Sequence, residues 1–463
     1  MKMTFIMPGV GRKPGEPYVN SWKMEPLALA ALAALTPADV EVQFVDDRLE
    51  PISYDEPTDA VAINVETYTA RRAYMIASRF RRRGVPVILG GYHPTLVPDE
   101  AMRYAESIVE GEAEAVWPCV IEDLRAGRLQ RRYRAEAGPP AVVRACRSLF
   151  AGRQYLPVTL IEAGRGCRFA CEFCSVAEFY CHKAVARPVQ DVVEEIESIG
   201  SRSVFFVDDN VVADPARAGQ LFAALRPAGI RWYSQASITM ADDPRLLALM
   251  QKSGCGGVLV GFESLSTATL AAMGKGWNRA LRDYEESVRR IRDAGIAIYA
   301  TFIFGYDGDD ADAFERTVEF AIRQKFHMAA FNHLVPFPGT PLYRRLQQEG
   351  RLRFDPWWLD PQFRFGDIAF HPRNMSADEL AERCFKARNA FYRFGSILSR
   401  AMNLKSNCRD LRSAAIYFWL NFFSGSEMQK RQGLPLGTGF PGDEDDGQTA
   451  GPVPMDTLQE HSA

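Results

Sequence analysis

Short apolar segments of strand length alternate with helical patterns twice along this chain, and the alternation stops once and restarts. Such alternation restricts the choice to parallel sheets with helical crossovers. In the first 140 residues the strand candidates are residues 3–7, 40–45, 60–65, 85–89 and 107–109. A Leu- and Ala-rich helical run, 24–35, follows Ser21. A second, 71–83, places Tyr74, Ile76, Ala77 and Phe80 near one face and ends at Gly84. This pattern predicts a Rossmann-like, doubly wound sheet, which binds ligands in the loops after its strands. Glycine and polar residues gather in those loops: Pro8-Gly9-Val10-Gly11, Asn64-Val65-Glu66-Thr67, Gly90-Gly91-Tyr92-His93 and Gly111-Glu112-Ala113-Glu114.

After a less regular stretch containing Gly138-Pro139-Pro140, the alternation resumes with strands at 158–162, 203–207, 231–234, 257–261, 297–304 and 328–334. One intervening helix is well marked: Asp243 caps it, Pro244 suits its first turn and Gly254 ends it. Six strand–helix units predict a TIM-type β/α barrel, complete or partial, with its chemistry at the carboxyl ends of the strands. Beyond residue 355 the pattern turns helical. Ser376 caps an amphipathic run through Asn403, and a second run, 409–423, is strongly apolar at its end and reads as a core helix. The expected division is 1–140, doubly wound domain; 141–155, linker; 156–355, barrel; 356–425, helical region; and 426–463, a disordered tail rich in Gly, Pro and Asp, including Gly442-Asp443-Glu444-Asp445-Asp446-Gly447.

Composition excludes several classes. Of 463 residues, 47% are apolar, enough for a sizeable core, and the formal charge of −3 carries no signal for nucleic acid. The N-terminal apolar run is cut short by Pro8-Gly9, unlike a secretory signal. No stretch approaches the roughly 20 apolar residues of a membrane span. Nine cysteines without a signal point to a reducing, cytoplasmic setting, where clustered cysteines serve metal or redox chemistry.

The cluster is Gly166-Cys167-Arg168-Phe169-Ala170-Cys171-Glu172-Phe173-Cys174. Three thiolates on one loop, just after a strand, can wrap one corner of a 4Fe–4S cubane and leave the fourth iron open. A structural zinc site wants four ligands, usually in two pairs; the nearest additions are Cys181 and His182. Cys181 and Cys255 read as ordinary small packing residues.

Cys167, Cys171, Phe173 and Cys174 match the C-x3-C-x-aromatic-C signature, and the chain resembles the radical S-adenosylmethionine (radical SAM) enzymes. The resemblance implies that Cys167, Cys171 and Cys174 hold the cluster. It implies that the open iron chelates S-adenosylmethionine, whose reductive cleavage yields a 5′-deoxyadenosyl radical, and that an external donor such as flavodoxin or ferredoxin supplies the electron. It further implies cofactor contacts from Phe173, Asp209, Ser237, Glu263, Gly305 and Asn332, at the strand ends. Where the family often carries a GGE segment, this chain has Asp208-Asp209-Asn210, residues equally suited to caps and turns.

The first domain resembles the cobalamin-binding domain that precedes the barrel in one large radical SAM subclass, through Gly90-Gly91-Tyr92-His93-Pro94-Thr95 and Gly111-Glu112-Ala113-Glu114. The resemblance implies cobalamin contacts from Glu66, Thr67, Gly90, Gly91, Tyr92, His93, Gly111 and Glu112. The D-x-H-x-x-G motif that supplies a cobalt ligand elsewhere is absent, so His93 is expected to be structural or to meet the nucleotide tail. The segment Leu334-Val335-Pro336-Phe337-Pro338-Gly339-Thr340-Pro341-Leu342-Tyr343 resembles one that closes the barrel in this subclass.

Together these features imply a radical SAM enzyme that methylates an unactivated carbon of a small-molecule or natural-product substrate with cobalamin. The alternatives are a cobalamin-dependent radical cyclase or rearrangement enzyme without methyl transfer, and a cofactor-sensing protein that is not an enzyme. No side chain is assigned a catalytic role from the sequence.

Overall fold

In a computed structural model of the chain, which describes residues 1–135, 143–278, 281–441 and 454, the first strand is buried on both faces. Strand β1 (Lys2–Met7) turns Met3, Phe5 and Met7 toward one apolar cluster with Leu29 and Trp117. Its Ile6 joins a second cluster with Tyr74 and Phe80. A continuous apolar run suits this position, because helices cover both sides of a parallel sheet. With β2 (Glu41–Asp46), β3 (Ala60–Asn64), β4 (Val87–Gly90), β5 (Ser107–Glu110) and β6 (Arg132–Arg134) it forms a parallel sheet of order β2-β1-β3-β4-β5-β6. The order reverses between β1 and β3, so the ligand crevice of this doubly wound sheet lies beyond their carboxyl ends. The short strand β6 was not among the expected elements.

The second sheet starts with β7 (Thr159–Ile161). An antiparallel pair, β8 (Gly164–Gly166) and β9 (Ala184–Ala186), follows. The sheet continues with β10 (Ser203–Phe206), β11 (Arg231–Gln235), β12 (Cys255–Glu263), β13 (Ala297–Phe304) and β14 (Met328–His333). Its order is β14-β13-β12-β11-β10-β7, all parallel. β7 and β14 do not pair, so the barrel is partial and open on one side. Its core includes Phe206, Trp232, Val260, Phe302 and Phe331. The helix Pro244–Lys252 is capped as expected, with the Asp243 carboxylate accepting from the amides of Arg245 and Leu246.

Four expectations need correction. The first helix begins at Leu27 rather than Met24, since Pro26 disfavours helical backbone in the residue before it. The run from Ser376 to Asn403 is two helices, Ala377–Tyr392 and Phe394–Ala401, broken at Arg393, whose backbone is extended. The apolar run at 409–423 belongs to a longer helix, Leu411–Arg431, that is not buried: Trp419 and Phe422 are 55% and 52% exposed, and the inward face carries Tyr417, Asn421 and Glu427. Residues 426–441 are ordered. After the helix ends, Leu434, Leu436 and Phe440 are buried against the first domain. The Gly437 amide donates to Val10 O at 2.7 Å and the Arg12 amide to Thr438 O at 2.9 Å. The acidic run 442–447, the remainder of the expected tail apart from Pro454, and Gly138-Pro139-Pro140 lie outside the described residues.

Candidate active site

The cysteine loop is held at both ends. Gly166, at φ 75°, closes the β8–β9 pair where a Cβ would stand 2.2 Å from Lys183 O, so no other residue fits. Its amide donates to Asp209 Oδ2 at 2.8 Å. Within the loop, Cys174 N donates to Cys171 O (3.1 Å) and Glu172 N to Met273 O (2.9 Å). The Glu172 carboxylate receives Arg345 at 2.7 Å and the Tyr306 hydroxyl at 3.0 Å, and Phe169 stacks on Trp277 with ring centroids 3.7 Å apart. Cys167, Cys171 and Cys174 are each half-buried and unpaired. Burial pushes all three thiols up, Cys171 to about 12, while the Lys275 ammonium opposes the rise at Cys167 and Cys171. The amides of Val176 and Ala177, at the start of the following helix, hydrogen-bond Cys174. Thiols so placed deprotonate when a metal takes the proton's place. Among the described residues no group of three His, Cys, Asp or Glu side chains converges on one ion. Ligands at separate corners of a cubane need no such convergence.

The strand ends around this loop are tied together by the residues singled out in the sequence. Asp208 Oδ2 accepts from Ala163 N (2.9 Å), Asp209 holds Gly166, and Asn210 Oδ1 accepts from Ser237 N (3.0 Å). Asp208 is fully enclosed, and burial raises its carboxyl to about 8; burial raises Asp209 as well. Glu263, at φ 62°, is buried and pairs with Lys275 Nζ at 2.8 Å. The same ammonium donates to Gly261 O at 2.9 Å. Gly305 sits in a turn fastened by Asp309, close against Leu380 and Phe370. Asn332 and Phe173 border a cavity described below. Nothing in the sequence signalled Lys275, which no motif includes.

Between the two sheets lies a cavity of about 640 Å³. The expected residues Glu66, Gly90, Gly91, Tyr92, Gly111 and Glu112 line its first-domain wall. From there it runs between the sheet and the helix Leu27–Leu35, past Ala62, Ile88, Leu32 and Trp117. That helix is apolar all round, and Leu27, Ala28, Leu29, Ala31 and Leu32 border the cavity. Gly91, at φ 105°, is required: a Cβ would lie 2.6 Å from Asn64 Oδ1 and 2.9 Å from Val65 O. The Glu66 carboxyl opens onto the cavity, and enclosure pushes its pKa up. Thr67 and His93 point away. His93 is buried, with Nε2 3.0 Å from Glu100 Oε1 and Nδ1 3.4 Å from Thr67 Oγ1. Glu100 also receives the Tyr74 hydroxyl and the Trp358 indole, so this is a packing network, and Thr69 takes the cavity position expected of Thr67.

The barrel supplies the opposite wall through Arg165, Asp209, Phe179 and Tyr180. Tyr92 stacks on Phe179 at 4.4 Å, and its hydroxyl donates to Tyr180. Arg165, two residues before Cys167, pairs with Glu112 at 2.6 Å and with Glu114 and Glu162; burial lowers its pKa, and Glu162 and Glu114 more than offset this. A second cavity, about 590 Å³, adjoins the first at Ser21, Tyr68 and Phe365. It reaches Phe173 in the cysteine loop, Ile303 and Asn332 at the ends of β13 and β14, and Arg388.

Fold and site define a class: a partial β/α barrel with a three-cysteine loop at its mouth, roofed by a doubly wound domain whose ligand-binding strand ends face that loop. Residues 161–321 match the radical SAM superfamily. The chain is 31% identical to the bacteriochlorophyllide d C-12(1)-methyltransferase of Chlorobaculum tepidum, over 81% of this chain and 84% of that protein. Two solved structures share the fold. One is the radical S-adenosylmethionine methyltransferase TsrM from Kitasatospora setae with cobalamin and a [4Fe–4S] cluster bound: TM-score 0.61, 18% identity, 84% of this chain and 81% of that one. The other is the cobalamin-dependent S-adenosylmethionine radical enzyme OxsB with aqua-cobalamin bound: TM-score 0.65, 13% identity, 95% and 77%. The chain belongs to the radical SAM family, and it is an enzyme.

Proposed function

We propose that this protein is a cobalamin-dependent radical SAM methyltransferase acting on an unactivated carbon. The observation that carries the reading is the 640 Å³ cavity, one wall of which is the glycine-bearing strand ends of the first domain and the other the hairpin that carries the cysteines. Protein interiors are close-packed, and an apolar channel of this size between a sheet and its covering helix is a ligand site. Cobalamin fits it: the Gly90-Gly91 turn would let the backbone approach a bulky ring, and the apolar channel past Leu32 and Trp117 would hold a further part of the group. The cluster fits the three half-buried thiols, and S-adenosylmethionine fits the open iron beside Phe173, Asp209, Ser237, Glu263, Gly305 and Asn332. When bound, these groups supply a carbon radical on the substrate and a methyl group to quench it.

The chain's own contribution is placement. Arg165 and the Tyr92–Phe179 stack would hold the corrin side against the cysteine loop, the Lys275 ammonium, paired with Glu263, favours the thiolate form of Cys167 and Cys171, and the apolar walls keep water from a radical. Methyl transfer is further supported by similarity to the bacteriochlorophyllide methyltransferase. Nine unpaired cysteines support a reducing compartment, the cytoplasm, where a flavodoxin- or ferredoxin-type protein would deliver the electron. Among the described residues no helix is long and apolar enough to cross a membrane.

The test is anaerobic reconstitution with iron, sulfide and hydroxocobalamin, then reduction in the presence of S-adenosylmethionine labelled at its methyl group. The expected result is retained corrin that acquires the label. Retained corrin that never acquires it would move the protein to the ring-forming or rearranging enzymes, and desalting to a corrin-free protein would overturn the reading.

A further inference from the structure

The second cavity contains a buried cation with no counter-ion. Arg388 projects from the helix Ala377–Tyr392, and its Nε donates to Phe331 O on β14 at 2.8 Å, which fixes the plane of the guanidinium. Among the described residues no carboxylate pairs with Arg388, which lines the cavity. Burial lowers its pKa, and the groups that oppose this are Tyr68, Tyr299 and Cys384, none of them an acid at neutral pH. Tyr68 and Tyr299 line the same cavity, and their hydroxyls make no hydrogen bond to the described protein. An unpaired buried charge is costly, and a guanidinium held in a fixed plane is shaped for a planar anion.

The other charged groups on this cavity make contacts of their own. Glu427 accepts from the Ser21 amide (2.9 Å) and hydroxyl (3.1 Å) and from Lys430 (2.9 Å). Arg431 donates from one Nη to the Ser21 hydroxyl and lies over the Trp22 ring, while its Nε is buried without a partner. His333 is held down to about 3 by burial and by Arg388, so it is neutral. The remaining wall is largely aromatic and aliphatic, including Phe173, Ile303, Phe337, Phe365 and Phe423.

We propose that this cavity is the substrate site, and that the substrate is a polycyclic or extended aromatic organic acid whose carboxylate is held by Arg388 with the Tyr68 and Tyr299 hydroxyls. The inference rests on the methyltransferase reading, since only there do the two cavities serve one reaction. The Arg388 guanidinium with two neighbouring hydroxyls suits a single carboxylate. Phe173 at one end keeps the acid's apolar body beside the cysteine loop, and the junction at Tyr68 and Phe365 opens it to the corrin side.

The experiment is anaerobic equilibrium dialysis of the reconstituted holoenzyme, with saturating S-adenosylmethionine, against 1-pyrenebutyric acid and its methyl ester. A charge-assisted pair predicts that the acid binds about ten- to a hundredfold tighter than the ester. Arg388→Met should abolish the preference, Arg388→Lys should keep part of it, and Tyr299→Phe should weaken the acid a few-fold while leaving the ester unchanged. If Arg388→Met fails to fold, the lysine and phenylalanine variants decide. Equal affinity for acid and ester, absence of binding, an Arg388→Met protein that keeps the preference, or displacement of the acid by S-adenosylmethionine would each overturn the proposal. Corrin retention and label uptake are recorded on the same samples. Lost discrimination with corrin and label intact sinks this inference alone; lost corrin with discrimination intact sinks the functional reading alone.

Discussion

Arg165 Nη1 stands 2.6 Å from Glu112 Oε1, across the seam between the two sheets. Arg165 lies in the strand that leads to Cys167, and Glu112 follows the strand β5 that lines the 640 Å³ cavity. One guanidinium therefore ties the cysteine loop to the wall opposite, and it is surrounded by three carboxylates, Glu112, Glu114 and Glu162. Replacing Arg165 with Met leaves those acids together, partly buried and without a cation. Breaking a buried pair from one side costs on the order of 3 kcal/mol. The expected result is a lower midpoint in denaturant and weaker retention of hydroxocobalamin, with iron–sulfur loading less affected. Adding Glu112→Gln and Glu114→Gln should recover part of the stability, and a triple variant no more stable than Arg165→Met alone would show that the acids do not repel.

Gly91→Ala tests the cradle. The backbone there lies at φ 105°, and the new methyl would meet Asn64 Oδ1 and Val65 O well inside contact distance. The strain alone is worth about 1–3 kcal/mol. We expect corrin retention to fall by at least about tenfold in hydroxocobalamin titration, since a 1.4 kcal/mol change in affinity is tenfold. Gly127→Ala, whose Cβ would meet nothing within 4 Å, serves as the control for positive φ without crowding. Equal corrin affinity in both variants would remove the crowding argument.

What could be read in advance divides along physical lines. The cysteine spacing, the strand–helix alternation and the Asp243-Pro244 cap are local, and each rests on residues within one turn or one loop. The failures involve partners distant in sequence. Phe440 returns to the first domain, its ring edge lying where a Cβ on Gly9 would stand and Arg72 lying 4.2 Å over the ring; no local pattern announces that a Gly- and Pro-rich segment will be buried. The β8–β9 pair is three residues on each side and has no apolar periodicity. Arg388 and Lys275 are ordinary cations until the fold removes water from them. Thr67 and Thr69 show the limit of resolution: the loop was legible, but which threonine faces the cavity depends on a 3-10 turn at residues 67–69.

Lys275 offers a test of the loop's support. Its ammonium and the Glu263 carboxylate are both buried, 2.8 Å apart, and the same cation offsets the effect of burial on Cys167 and Cys171. Lys275→Met strands Glu263, which should cost about 3–5 kcal/mol in chemical denaturation. It should also slow cluster assembly, visible as reduced iron–sulfur absorbance per protein, because the thiols lose the cation that favours their charged form. Lys275→Met with Glu263→Gln should regain stability without regaining assembly rate. Full assembly rate in the single variant would detach Lys275 from the cluster chemistry.

The last prediction concerns pH. Asp208 is enclosed, and burial raises its carboxyl from an ordinary 3.8 to about 8. The native state therefore holds a proton there that the unfolded chain has released. Wherever the native state binds more protons, stability falls as pH rises. The contribution of Asp208 is complete below about pH 4, declines between that value and about 8, and is gone above the upper limit. Within the window the slope approaches 1.4 kcal/mol per pH unit for one proton. Asp309, raised to about 6 by burial, adds to the loss only in the lower half of the range, and the comparison with a variant that lacks the Asp208 carboxyl removes the contribution of the other buried acids. Asp208→Asn keeps an oxygen that can accept from Ala163 N and removes the titration. Denaturation midpoints measured from pH 6.5 to 8 should fall more steeply for the wild type than for the variant, and the two should run parallel above pH 8.5. Parallel curves through the whole interval would mean that Asp208 is already ionised in the folded protein, with the nearby Arg217 as the cation that offsets its burial.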